Sequence, residues 1–330
     1  MSTSSSTVHV IGTGSYLPEK VLTNAELSRM VDTSDEWITT RTGIKERHVA
    51  AKEEATSDMA TQASRRALAD ARLAPDQIEL IVVATTTPDM FFPSTACFVQ
   101  KQLGIKEAVS FDVSAACSGF VYALEVARTM LESGRYTRAL VIGAEKLSSI
   151  TNWKDRSTCV LFGDGAGAAV LERRTVPGGI LSTYITAEAA QTDILKVPGG
   201  GSRLPPTADV LAQNLNTIYM EGKEVFKLAV HRMISAAQKA LELAGKKESD
   251  LTLLIPHQAN LRIIEAIGER VAIPRERIFV NLQKYGNMSS ATTIVALDEA
   301  RREGRVKKGD LVELIAFGAG LTWGAVVIQF

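Results

Sequence analysis

The chain has 330 residues, 37 basic and 37 acidic side chains, a formal net charge of zero and 45% hydrophobic residues. That length suits one large domain or two ordinary ones. The balanced charge argues against a general binder of nucleic acid or of acidic membranes, and no apolar run approaches the roughly 20 residues that span a bilayer.

Three cysteines, Cys97, Cys117 and Cys159, stand apart with no CxxC pair among them. This excludes a disulfide framework and a structural zinc site, and places the protein in a reducing compartment, the cytoplasm. Met1 to Thr7 is rich in serine and threonine, with neither a basic region nor an apolar stretch. It reads as a short loose tail, not a signal peptide.

In chain order, the apolar run Val8–Ile11 reads as the first buried strand, the pattern Ser57–Ala71 as a helix and Ile78–Ala84 as a strand. The helix Ser118–Ser133 begins just after Cys117, and strands Ala139–Gly143 and Ala168–Leu171 follow. Then come helix Val225–Ala244, strand Leu251–Ile255, helices Leu261–Arg270 and Ser289–Glu303, and strands Leu311–Ala316 and Ala325–Ile328. The strand runs lack polar alternation, as strands covered on both faces do. Their alternation with helices predicts an α/β fold with mainly parallel central pairing.

A weak repeat organises the chain. Ala67-Leu68-Ala69-Asp70-Ala71 resembles Ala240-Leu241-Glu242-Leu243-Ala244 at an offset of 173, which also sets Ile78–Val82 on Leu251–Ile255. The helices after Cys117 and Asn287 end at Gly134 and Gly304, an offset of 170. The repeat predicts two similar halves, 1–177 and 178–330, with Cys117 and Asn287 at equivalent helix starts and His257 nearby. Residues 196–216 carry three consecutive glycines and three prolines and break the pattern. They form an insertion loop, either a pocket edge or a surface excursion.

Cys117 lies between a strand and a helix N-terminus, where unpaired N–H groups favour thiolate, the nucleophilic form. His257 follows a proline at a strand's C-terminal end, where α/β proteins place ligands. Asn287 alone reads as a helix cap or turn residue. Phe317-Gly318-Ala319-Gly320 follows a strand, and such a turn can aim a backbone N–H at an oxyanion. Gly12-Thr13-Gly14 lacks the third glycine of a dinucleotide fingerprint, no GxSxG occurs, and no paired-histidine metal spacing is present.

Several segments together resemble β-ketoacyl-acyl carrier protein synthase III over nearly the whole chain. They are Thr33–Ile38, Arg41–Ile44, Ala116-Cys117-Ser118-Gly119-Phe120, Phe162–Gly167, His257-Gln258-Ala259-Asn260 and Gly286-Asn287. The resemblance implies the thiolase fold, a five-layered αβαβα arrangement with two pseudo-duplicated halves. It also implies a decarboxylative Claisen condensation of a short acyl-CoA, acetyl-CoA first, with malonyl-acyl carrier protein, initiating fatty-acid synthesis. Cys117, His257 and Asn287 would be the catalytic residues, and the N–H groups of Cys117 and Ala319 the oxyanion hole. Coenzyme A would meet Trp37, Arg41, Arg156 and Asn260, with Trp37 and Arg156 around the adenine. Lys227 and Arg262 would meet the carrier protein, and Phe92 would close the acyl pocket across a homodimer interface. No metal or redox cofactor is implied. The third catalytic place separates the chain from relatives that carry a second histidine or a second cysteine there. Ala319 and Met288 depart from the family's usual glycine and threonine. A related secondary-metabolic acyltransferase would keep the same three residues, whereas a silent thiolase-like binding protein should lack the nucleophile.

Overall fold

In the computed structural model, which describes residues 6–330, two mixed sheets sandwich a central layer of helices. The expected loose tail falls, as far as residue 5, outside the described residues, and Thr7 already belongs to a strand. The first sheet runs Thr7–Tyr16, Asp164–Arg174, Arg138–Lys146, Leu80–Ala84, Val109–Val113. The second runs Gly179–Ala187, Thr322–Gln329, Leu311–Gly318, Leu253–Pro256. Helices Gly119–Glu132 and Ala291–Arg302 fill the space between the sheets; Thr56–Ala71 and Thr95–Leu103 cover the outer face of the first, Gly222–Ala244 and Leu261–Val271 that of the second. This is the αβαβα sandwich.

Burial on both faces explains the unbroken apolar runs. Along Leu80–Ala84, Leu80, Val82 and Ala84 enter the central core with Phe120, Leu124 and Ile294. Ile81 and Val83 enter the outer core with Met59, Ala63 and Ala67 of Thr56–Ala71, residues spaced to share one helix face. Side chains of one strand point alternately to the two faces, so both must be apolar.

The two sheets repeat one plan. In each, the strand starting at Leu80 or Leu253 pairs in parallel with the strand starting at Arg138 or Leu311, setting Leu80 opposite Ala139 and Leu253 opposite Val312. This neighbour pairs antiparallel with a third strand, and that one with the edge strand. The place of Val109–Val113 is taken in the second half by a lone parallel bridge, Leu254 to Ile278. All strands of the first sheet end by Arg174, and those of the second begin at Gly179.

The structure corrects two expectations. Pairing is not mainly parallel: beside the three parallel pairs stand four antiparallel ones in the two sheets. Antiparallel strands sandwiched on both faces lose the polar alternation that would have revealed them. The equivalence of Cys117 and Asn287 also fails. Ser118 N–H donates to Ala115 O and Ala291 N–H to Met288 O, and the positive-φ residues of these two turns are Ala116 (45°) and Ser289 (47°). Matching these turns sets Cys117 on Ser290, with Asn287 three residues before it. The helix Ala291–Arg302 has 12 residues against 14 in Gly119–Glu132, which misled the match from the helix ends.

Candidate active site

Cys117 sits in the single 3-10 turn Ala116–Ser118 that feeds the central helix Gly119–Glu132. This turn is tied to the end of the strand Leu311–Gly318. Thr322 Oγ1 lies 3.0 Å from both Ala115 O and Ala319 O, and Ser118 Oγ lies 2.8 Å from Thr322 Oγ1. Ala319 is not among the positive-φ residues, so its backbone accommodates a side chain without the strain that would call for glycine. Its N–H makes no backbone hydrogen bond among the described residues.

His257 ends the strand Leu253–Pro256, and its N–H donates to Ile315 O at 2.8 Å. The residue is 3% exposed, with Nδ1 2.6 Å from Thr292 Oγ1. Asn287 is pinned on both sides: its N–H donates to Leu161 O at 2.8 Å, and its carbonyl accepts from Gly163 N–H at 3.0 Å. A Cβ at Gly163 would stand 2.5 Å from Tyr285 O, so this approach requires glycine. Asn287 Oδ1 accepts from Ser289 N–H at 2.8 Å, which fixes the amide and leaves Nδ2 as the free donor.

Cys117, His257, Asn287 and Ala319 line one cavity of about 490 Å³. Leu147, Phe162, Met220, Phe226 and Met233 give it apolar walls, and the exposed Arg41 and Arg262 also face it. The insertion loop takes part through its stems. Leu195–Lys196 and Tyr219–Met220 pair as a short ribbon, and Leu195, Lys196, Val197 and Met220 line the cavity.

The electrostatics overturn one expectation. Burial pushes the Cys117 thiol up to about 12, Glu145 pushes the same way, and a hydrogen bond from Ser289 and the cysteine's own N–H only partly offset this. Desolvation outweighs the helix end, so Cys117 rests as a thiol. Burial lowers His257 to about 3, so it rests neutral. Glu145 itself is fully buried and accepts from Thr86 N–H at 3.0 Å and Thr87 Oγ1 at 2.8 Å. Sequence reasoning missed Glu145, Ser289 and Thr292. Only Glu145 left a signal, as a charge directly after the apolar run Ala139–Ala144.

Models described as 3-oxoacyl-(acyl-carrier-protein) synthase III, and as its C terminal, match residues 111–189 and 241–330. The β-ketoacyl-(acyl-carrier-protein) synthase III of Caldanaerobacter subterraneus subsp. tengcongensis is 56% identical, over 97% of this chain and 97% of its own. The chain belongs to the 3-oxoacyl-(acyl-carrier-protein) synthase III family. The crystal structure of the Aquifex aeolicus synthase III is 52% identical and covers 98% of this chain and 100% of its own at a TM-score of 0.91. A priming β-ketosynthase from a polyketide pathway is 37% identical, over 98% and 96%, at 0.90. As a synthase III, the chain is an acyl-transferring condensing enzyme with the thiolase fold.

The remaining residues of this synthase III fall into two groups. Trp37, Arg41, Asn260 and Arg262 line the cavity. Asn260 caps the helix Leu261–Val271 through Oδ1 and donates from Nδ2 to Arg41 O at 3.1 Å. Arg156 lies with its guanidinium 5.2 Å from the Trp37 ring centre, while it donates to Asp32 O. Lys227 is exposed on Gly222–Ala244, and Phe92 is 84% exposed. Neither borders the cavity of the single chain. No helix among the described residues is long and apolar enough to cross a membrane.

Proposed function

We propose that the chain condenses a short acyl-CoA, acetyl-CoA first, with malonyl-acyl carrier protein to give 3-oxoacyl-acyl carrier protein, opening fatty-acid synthesis in the cytoplasm. The observation that carries this reading is the meeting of Cys117, His257 and Asn287, from three separate elements, at one apolar-walled cavity. Cys117 attacks the acyl thioester, and the N–H groups of Cys117 and Ala319 hold the tetrahedral oxyanion. Malonyl-carrier protein then loses carbon dioxide, and the enolate oxygen takes hydrogen bonds from Asn287 Nδ2 and His257 Nε2. Both charges arise within the reaction, so donors held where the charge forms favour the transition state over the ground state. Thioesters supply the activation, and the chemistry needs no metal or redox cofactor.

Trp37 and Arg156 receive the adenine. Two stacking gaps of about 3.5 Å require about 7 Å between them, so Arg156 swings away from its present 5.2 Å. Arg41 meets the phosphates, and Asn260 supports it from behind. Lys227 and Arg262 offer positive charge to an acidic carrier protein. Phe91 and Phe92, 81% and 84% exposed, form an apolar surface that suits a homodimer interface, from which Phe92 closes the partner's acyl pocket.

The test separates the two half-reactions. Wild-type protein incubated with acetyl-CoA should gain one acetyl mass, and Cys117→Ser should not. Asn287→Ala should accept the acetyl group yet decarboxylate malonyl-carrier protein roughly 10²–10³-fold more slowly. Acetylation persisting on Cys97 or Cys159 in Cys117→Ser would sink the nucleophile assignment, and wild-type decarboxylation by Asn287→Ala its enolate role.

A further inference from the structure

We propose that Thr292 is a positioning residue that holds His257 as the Nδ1–H tautomer, so that the ring presents an unprotonated Nε2 to the cavity. The proposal deepens the reading above and rests on it only for what Nε2 then does.

The argument is a count of protons along a short chain of contacts. His257 Nδ1 lies 2.6 Å from Thr292 Oγ1, and Thr292 Oγ1 lies 3.0 Å from Ser289 O. The threonine hydroxyl has one proton to give. When it is given to Ser289 O, the imidazole donates Nδ1–H to Oγ1, and both contacts are hydrogen bonds. When it is given to Nδ1, Oγ1 and Ser289 O face each other across 3.0 Å as two lone-pair carriers. The first arrangement makes both side-chain contacts hydrogen bonds in a buried site, where an unmade hydrogen bond is costly; in the second, Ser289 O keeps only the Thr292 N–H at 3.2 Å and faces the Oγ1 lone pairs. Thr292 is 1% exposed and Ser289 3%, so water does not compete there. With Nδ1 committed, Nε2 is the ring atom left for the cavity that His257 lines.

This tautomer gives both half-reactions a proton carrier. In acylation, the Cys117 Sγ–acyl bond forms and the acyl–sulfur bond of CoA breaks; the thiol proton passes to Nε2 and on to the CoA sulfur. In condensation, the negatively charged malonyl group favours a proton from solvent on Nε2. That Nε2–H donates to the enolate oxygen as carbon dioxide leaves. When the enolate carbon displaces Cys117, the proton returns to the Cys117 thiolate. Nδ1–H stays on Thr292 throughout.

The test is nitrogen NMR of the full chain labelled with ¹⁵N-histidine, in wild type, Thr292→Val and Thr292→Ser, with His257→Gln identifying the His257 signals among the four histidines. Wild type should show a protonated Nδ1 and a pyridine-like Nε2. Thr292→Val should lose that pattern and acylate Cys117 roughly a hundredfold more slowly, and Thr292→Ser should restore both. A wild-type Nε2–H, or an unchanged Nδ1–H signal in Thr292→Val, would overturn the proposal. The NMR readout needs no substrate, so it stands or falls apart from the assigned reaction.

Discussion

A Cβ placed on Gly318 would stand 2.7 Å from the Cys117 amide nitrogen and 3.0 Å from Ala115 O. The strand that carries the Ala319 N–H therefore lies directly against the turn that carries the nucleophile, and only glycine permits the approach. Gly318→Ala should push these two oxyanion donors apart. Losing one donor costs roughly 10²–10³ in rate, with about 1–3 kcal/mol of overpacking. Stopped acylation of Cys117 by acyl-CoA, alongside urea unfolding, reads both effects. An alanine variant that acylates at the wild-type rate removes this turn from the chemistry.

Cys117 is half-buried with its thiol pushed up to about 12, whereas Cys97 is exposed on the first turn of Thr95–Leu103. Iodoacetamide reacts with thiolate. In the free enzyme near pH 7, Cys97 should alkylate before Cys117, and Cys117 labelling should climb as pH rises toward 10. Peptide mass spectrometry gives the order. Faster labelling of Cys117 at pH 7 would mean that a neighbouring charge or the helix end overrides desolvation.

His257 carries a stability signature. Burial lowers it to about 3 in the folded chain, from an ordinary value of 6.5. Between these values the unfolded chain binds the proton that the folded chain refuses, so stability falls as pH drops below 6.5. From pH 6.5 to 5 the loss is about 2 kcal/mol, at 1.36 kcal/mol per unit. Denaturant unfolding of wild type and His257→Gln at pH 7.5 and 5.0 should show that much less acid sensitivity in the variant.

Glu313 lies in the central strand Leu311–Gly318, fully buried, opposite Leu254 and Val327 of the outer apolar core. Neither carboxyl oxygen has a hydrogen-bond partner among the described residues, and burial pushes its pKa well above the ordinary carboxylate value. The folded chain thus holds a proton that the unfolded chain releases, and stability drains as pH rises above 4.5. Glu313→Met keeps the volume and removes the polar group. It should raise stability by about 1–3 kcal/mol at pH 7.5 and flatten its dependence on pH above 5. A less stable variant would reveal a partner for the carboxylate.

The sequence by itself determined the layered α/β plan, the duplication and the residues that converge. Runs such as Leu80–Ala84 can only be strands buried on both faces, and the 173-residue offset recurs in the observed strand register because each half must bury the same pattern. Val109–Val113 and Gly179–Ala187 escaped because they are edge strands with many part-exposed side chains. Strand sense escaped as well, since burial on two faces erases alternation. Only the tertiary structure decided the protonation of the site. Whether Cys117 rests as thiol or thiolate depends on how much water its neighbours exclude. Which ring nitrogen His257 offers depends on Thr292, 35 residues away in the chain. Burial and hydrogen-bond partners are sums over residues distant in sequence, and no local pattern encodes them.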